Sequence, residues 1–188
     1  MPGGPVLNLW LGAVVYYYKD YWIMKNFEIK IPVKSYSFDE LTEADRRLVE
    51  EARRATFTSY VPYSHFHVGA AIQMADGKTF AGSNQENAAY PSGLCAERTT
   101  AYYASANDPG VAMNTIAIAA RCPDNFPKGT PEEETFQRRP ISPCGACRQA
   151  LIEYEHAYGP IRVLLYGADE VYEFPSVASL LPYCFTDF

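Results

Sequence analysis

The chain has no block of lysine and arginine, and that lack argues against a non-specific grip on nucleic-acid phosphates. Sixteen Lys and Arg face 22 Asp and Glu, for a net charge of -6. A free nucleoside or base is the easier partner, although composition leaves a local groove for a polynucleotide open. No apolar run is long enough for a bilayer either. The one approach to it, residues 6–18, is broken by Asn8 and Gly12 and stopped by Lys19 and Asp20, whereas a spanning helix needs about 20 apolar residues. No membrane partner is expected. The same segment has no basic stretch before it, so it reads poorly as a secretory signal. Cysteine is sparse and odd in number, five in all. A disulfide framework in a secreted protein is the competing account of them, but a reducing cytoplasm suits free thiolates better.

What is present reads as one soluble domain. With 188 residues, 48% of them hydrophobic, the chain can bury a sizeable core. We expect a single domain over residues 36–188, preceded by an extension over 1–35. The extension reads as a disordered tail, a vector-derived leader, a mistaken upstream start with Met24-Lys25-Asn26 as the true beginning, or a real arm packing on a partner subunit. Fifteen tyrosines and ten phenylalanines are many for this length, and some are expected at subunit contacts.

Periodicity and punctuation then order the elements. A helix is expected over 38–60, with Thr42 and Asp45 as its cap signal and Leu41, Leu48, Ala52, Ala55 and Tyr60 as an imperfect apolar stripe. A strand over 66–74 turns at Asp76-Gly77 and returns over 78–82. A helix over 94–106, a strand over 113–120, a helix over 145–157 and strands over 161–166 and 170–174 follow. This alternation implies an α/β fold, a mixed sheet with helices packed on its faces. Residues 121–139 are polar and rich in Pro and Gly, unusually long for a connection. They lead to Pro143, and read equally as a lid at the site or a surface insertion.

Two cysteine clusters carry the chemistry: Cys95-Ala96-Glu97, and Pro143-Cys144-Gly145-Ala146-Cys147. Together they offer three thiolates to one metal ion. A structural zinc fills all four positions with protein ligands, whereas a catalytic zinc keeps one for water. Glu97 stands in place to handle that water's protons. A His or Cys with Glu two residues on, followed by Pro-Cys-x-x-Cys, is the layout of zinc nucleoside and base deaminases. Both clusters fall at expected helix starts, where free amide N–H groups stabilise thiolates. Cys144 and Cys147 share a helical face. Three thiolates on divalent zinc leave one net negative charge, so a compensating donor is needed. Arg98 and Arg148 are the candidates to hydrogen-bond thiolate sulfur, with two solvated arginines as the plain alternative. A single carboxyl acting as base and then acid suits a partly desolvated Glu97.

The chain resembles the small, homotetrameric, zinc-dependent cytidine deaminases over about residues 41–185. Tyr63-Ser64-His65-Phe66-His67-Val68-Gly69-Ala70-Ala71 resembles the family's opening segment. Gly82-Ser83-Asn84-Gln85-Glu86-Asn87-Ala88 is similar to its sugar-binding stretch. Cys95-Ala96-Glu97-Arg98 and Pro143-Cys144-Gly145-Ala146-Cys147-Arg148-Gln149 match its zinc motifs, and Leu180-Leu181-Pro182-Tyr183-Cys184-Phe185 its C-terminal end. The resemblance implies a three-layer α-β-α fold with about five strands and helices on both faces. It implies one zinc per subunit held by Cys95, Cys144 and Cys147, with Glu97 as proton shuttle. It has Asn84 and Glu86 hold the ribose hydroxyls, Phe66 pack on the pyrimidine, the backbone around Ala96 contact the base, and Phe185 reach a neighbouring subunit's site. Arg98 would bond zinc-bound sulfur. The implied reaction is deamination of cytidine and 2'-deoxycytidine in pyrimidine salvage, by a homotetramer or, second, a homodimer. The extension and the insertion at 121–139 depart from the family pattern.

Taken alone, these further residues say less. Asn84 and Glu86 alternate off a strand end and can point to one side, but such a pair also suits a solvated loop. Phe66 also reads as core, Phe185 as a tail residue docking on its own domain, and His65 and His67 as a second metal site or surface. The nearest rival function is a deaminase of another cytosine nucleoside such as blasticidin S. A structural zinc module is a different class; it needs a fourth ligand from His65, His67 or Cys122 and leaves Glu97 without a task. A homologue that binds without catalysis is the third alternative.

Overall fold

The computed structural model describes residues 7–10, 13–16 and 26–186. The chain divides into two compact units, Met1–Lys30 and Ile31–Phe188. In the first, β1 (Leu7–Trp10) and β2 (Ala13–Tyr16) pair antiparallel, Leu7 opposite Tyr16. The alternative start at Met24 lies outside the described residues.

The second unit runs β3 (Lys34–Tyr36), α1 (Glu43–Ala55), β4 (His67–Met74), β5 (Thr79–Ser83), α2 (Ala96–Asn107), β6 (Met113–Arg121), α3 (Gly145–Tyr158), β7 (Arg162–Tyr166) and β8 (Val171–Phe174). Its sheet has six strands in the order β3-β8-β7-β6-β4-β5. Only β6 and β7 are parallel; the other neighbours are antiparallel. The sixth strand, beyond the five or so expected, is β3. Three residues are too few to show a period, and β3 exists because β8 offers it an edge. It pairs Ser35 with Tyr172, so a division after residue 35 falls inside a strand.

The expected helix over 38–60 is three pieces: a 3-10 turn at Phe38–Glu40, then α1, then a 3-10 turn at Thr56–Thr58. Thr42 starts α1 afresh, its hydroxyl oxygen accepting the Asp45 N–H at 3.2 Å. At the far end, the Thr56 and Thr58 hydroxyls donate to the carbonyls of Arg53 and Ala55. Such bonds compete with helix continuation. Tyr60 therefore lies past the helix and is exposed, not part of its buried stripe.

Strand alternation sorts the core into two layers. Ala70, Ile72, Ile116, Ile118, Val163 and Leu165 face α2 and α3. Their neighbours Ala71, Ala117, Ala119 and Leu164 face Leu48, Val49 and Ala52 of α1. The small residues on the α1 side let that helix lie close. At Gly69 a Cβ would sit 2.1 Å from the Ala52 carbonyl oxygen. The layering of one helix, a sheet and two helices aims the starts of α2 and α3 toward a common point.

Residues 121–139 fold back along β6. Cys122 N–H donates to Thr135 O, and Gln137 N–H to Ala120 O. Phe136 is buried against Tyr166 and the Arg53 guanidinium on the α1 side. The insertion is thus tied to the core at both ends.

Candidate active site

Cys95 caps the start of α2, Cys144 caps the start of α3, and Cys147 lies in the first turn of α3. The sulfurs meet. Cys95 Sγ is 3.8 Å from Cys144 Sγ, which is 3.5 Å from Cys147 Sγ, and all three lie within 4.8 Å of one another. Zinc bound tetrahedrally at about 2.3 Å from each sulfur sets them about 3.8 Å apart. The donor set therefore fits zinc with little rearrangement. Among the described residues no His, Asp, Glu or further Cys joins the group. His65 instead lies 2.7 Å from Asp124 through Nδ1, and Cys122 is buried in the insertion's base. A four-ligand structural site thus lacks its fourth member among these residues.

The electrostatics favour thiolate at Cys95. A hydrogen bond from Cys147, supplemented by Arg98 and Cys144, outweighs burial and lowers the Cys95 pKa to about 5. Cys147 moves the other way, because it holds the proton it shares with Cys95 and is itself buried. Glu97, 4% exposed, has its pKa raised first by burial and further by the neighbouring Cys95 charge.

The two arginines part company. Arg98 reaches Cys95 Sγ at 4.0 Å and keeps its buried Nε without a partner. Arg148 does not reach sulfur. Its guanidinium donates to Pro143 O, Leu180 O and Ser142 Oγ at 2.8, 2.8 and 2.9 Å. Although it lies four residues past Cys144, a spacing that shares a helical face, these acceptors hold it away from the sulfurs and against the loop that delivers Cys144.

Next to the sulfurs lies a cleft of about 410 Å³ lined by Tyr63, Ser64, Asn84, Gln85, Glu86, Asn87, Tyr90, Gly93, Leu94 and Cys95. Its floor is a short ladder. Tyr60 N–H donates to Asn84 O, Glu86 N–H to Tyr60 O, and Gln85 and Leu94 exchange both backbone bonds. The residue before Cys95 is thereby paired to the residue between Asn84 and Glu86. Both of those side chains turn toward residues 63–68. Asn84 Oδ1 accepts Val68 N–H and Nδ2 donates to Phe66 O, each at 2.9 Å. Glu86 Oε2 accepts the N–H groups of Tyr63 and Ser64 at 3.0 and 3.2 Å. Burial works to raise the Glu86 pKa, but the Ser64 and Tyr63 donors together hold it below the usual carboxylate range. Phe66, Ala96, Glu97 and Phe185 do not line this cleft. Phe66 is half-buried beside it, Ala96 and Glu97 are buried behind Cys95, and Phe185 is exposed. The insertion does not line it either; its nearest link is Asp124, through His65. Tyr63 and Tyr90, in edge-to-face contact at 6.4 Å, line it without having been singled out. Their signal was position: one opens the segment before Phe66 and the other follows Asn87 by three.

A family model described as the cytidine and deoxycytidylate deaminase zinc-binding region matches residues 42–159. The chain belongs to that deaminase family. A cytidine deaminase of Sporosarcina psychrophila is 35% identical over 140 residues, 74% of this chain and 90% of the relative. Another, of Halalkalibacterium halodurans, is 37% identical over 141 residues, 74% and 92% of the two. The crystal structure of a cytidine deaminase from Burkholderia pseudomallei superposes with a TM-score of 0.60 at 37% identity, covering 77% of this deaminase and all of that chain. Zinc is the cofactor of this family, and the three gathered sulfurs fit it.

Proposed function

We propose that this deaminase hydrolyses cytidine and 2'-deoxycytidine to uridine and 2'-deoxyuridine with release of ammonia. The observation that carries the reading is a buried carboxyl, Glu97, two residues from one of three gathered sulfurs, beside a cleft edged by Asn84 and Glu86. Cys95, Cys144 and Cys147 would hold zinc, which would supply Lewis acidity to a water molecule. Glu97 takes the proton this water loses as its oxygen adds to the amine-bearing carbon, and passes it to the adjacent ring nitrogen. Glu97 then takes the remaining proton from the added hydroxyl, which becomes the carbonyl, and delivers it to the amine, which leaves as ammonia. Burial raises its pKa, which suits a carboxyl that must both take and give a proton.

Asn84 and Glu86 hold the ribose hydroxyls. The Asn84 amide keeps a second N–H beyond the one given to Phe66 O, and Glu86 keeps a second oxygen beyond the one fastened by Tyr63 and Ser64. Phe66 packs on the pyrimidine, the Ala96 backbone meets the base, and Phe185 closes a neighbouring subunit's site. Arg98 offsets the negative charge on sulfur, while Arg148 braces the Cys144 loop. The assembly is a homotetramer, with a homodimer second, acting in cytoplasmic pyrimidine salvage. Exposed Tyr102, Tyr103, Tyr183 and Phe185 support self-association.

The test is an ultraviolet deamination assay on cytidine, deoxycytidine, cytosine, adenosine and blasticidin S. Turnover is expected on the first two. Glu97→Gln is expected to retain zinc and lose turnover by about 10³-fold or more. Equal activity in both proteins would refute the proton shuttle, and turnover of blasticidin S alone would replace the substrate.

A further inference from the structure

The opening of α3 carries more than metal ligands. Two residues past Cys147, the Gln149 amide grips the backbone of Phe185 from both sides. Its Nε2 donates to Phe185 O at 2.7 Å, and Phe185 N–H donates to Oε1 at 3.3 Å. Arg148 ties the start of the same segment through Leu180 O at 2.8 Å. Between the two ties, Cys184 packs against the core layer under α2 and α3. Cys184 is partly buried there, whereas its neighbours Tyr183 and Phe185 are 73% and 66% exposed. A two-point grip on one residue's peptide groups removes backbone freedom as strand pairing does. A ring held this way and left exposed has already met part of the ordering cost of contact outside its protomer.

We infer that Gln149 is a positioning residue for nucleoside binding, acting through Phe185. The inference rests on the reading that Phe185 closes a neighbouring subunit's site. It links that ring to the opening of the helix that holds two sulfurs, so metal and aromatic wall share one support.

The test uses the full-length, zinc-loaded protein and four variants: Gln149→Met, Gln149→Glu, Phe185→Ala, and Gln149→Met with Phe185→Ala. Gln149→Met keeps the length and loses both bonds. It is expected to raise the KM for cytidine about fivefold, the worth of one or two hydrogen bonds, with kcat nearly unchanged. Gln149→Glu keeps the acceptor for Phe185 N–H and is expected to fall between. The double variant is expected to be no worse than Phe185→Ala, because residues acting as a unit are not additive. Amide exchange over residues 180–186 is expected to quicken in Gln149→Met at equal zinc content. A wild-type KM in both Gln149 variants, additive effects in the double variant, or unchanged exchange would each overturn the inference while leaving the reaction standing. A zinc-loaded wild type without turnover would overturn the reaction and the inference together.

Discussion

Asn84 shows how one side chain joins fold and chemistry. Its amide satisfies Val68 N–H and Phe66 O at the beginning of β4, and the same group edges the cleft. Asn84→Ala should therefore do two things at once. Stability should fall by about 1–2 kcal/mol for two lost hydrogen bonds, seen as a lower urea midpoint. The KM for cytidine should rise beyond what that loss explains, because Phe66, which we propose packs on the base, is released as well. An unchanged KM in a destabilised variant would leave Asn84 as scaffold only. Arg98 and Arg148 make the opposite point. Both follow a cluster closely in sequence, yet only Arg98 turns toward sulfur. Spacing alone cannot tell these two apart, since each lies just past a ligand on a helix and the difference is the direction of approach.

Between α1 and the sheet, small residues allow close approach. Under α1 the sheet presents Gly69, Ala71, Ala117 and Ala119. A methyl group at position 69 meets backbone of α1, which cannot rotate away. Gly69→Ala should cost about 3 kcal/mol, the upper range for overpacking, measured as loss of soluble folded protein or of unfolding free energy. The insertion makes its own contribution. Arg121, 3% exposed, lies over the Phe57 ring and pairs with Glu132 at 3.0 Å. Since Glu132 is itself largely solvated, Glu132→Ala should cost only about 1–2 kcal/mol. Glu134→Ala, two residues on and exposed, is the control and should cost almost nothing. Equal effects of the two would show that Glu132 has no special partner. Nothing in the composition of residues 121–139 announces this docking, because its anchors are single residues, Phe136 and Glu132, without a period.

Across the molecule, two helix starts separated by 49 residues between Cys95 and Cys144 converge on one metal position. Removing zinc with a chelator should abolish turnover and lower the thermal midpoint, since a ligand that binds only the folded state stabilises it. One equivalent of zinc should restore both, and cobalt in its place should show a spectrum of three sulfurs and an exchangeable fourth position. An unchanged midpoint after complete removal would count against the sulfur site as the zinc-binding centre. The two cysteine clusters, the main helices and most strands were legible in the amino-acid order, because each rests on local spacing: ligands three apart, apolar alternation, a cap before a periodic run. β3, the orientation of Arg148, the docking of the insertion and the grip of Gln149 on Phe185 were not. Each of those is a contact between segments distant in the chain, and its partner is chosen by which surfaces the sheet brings together. Local spacing thus marked the candidate ligands, while their meeting at one point and the directions in which the side chains point required the packed sheet and its helices.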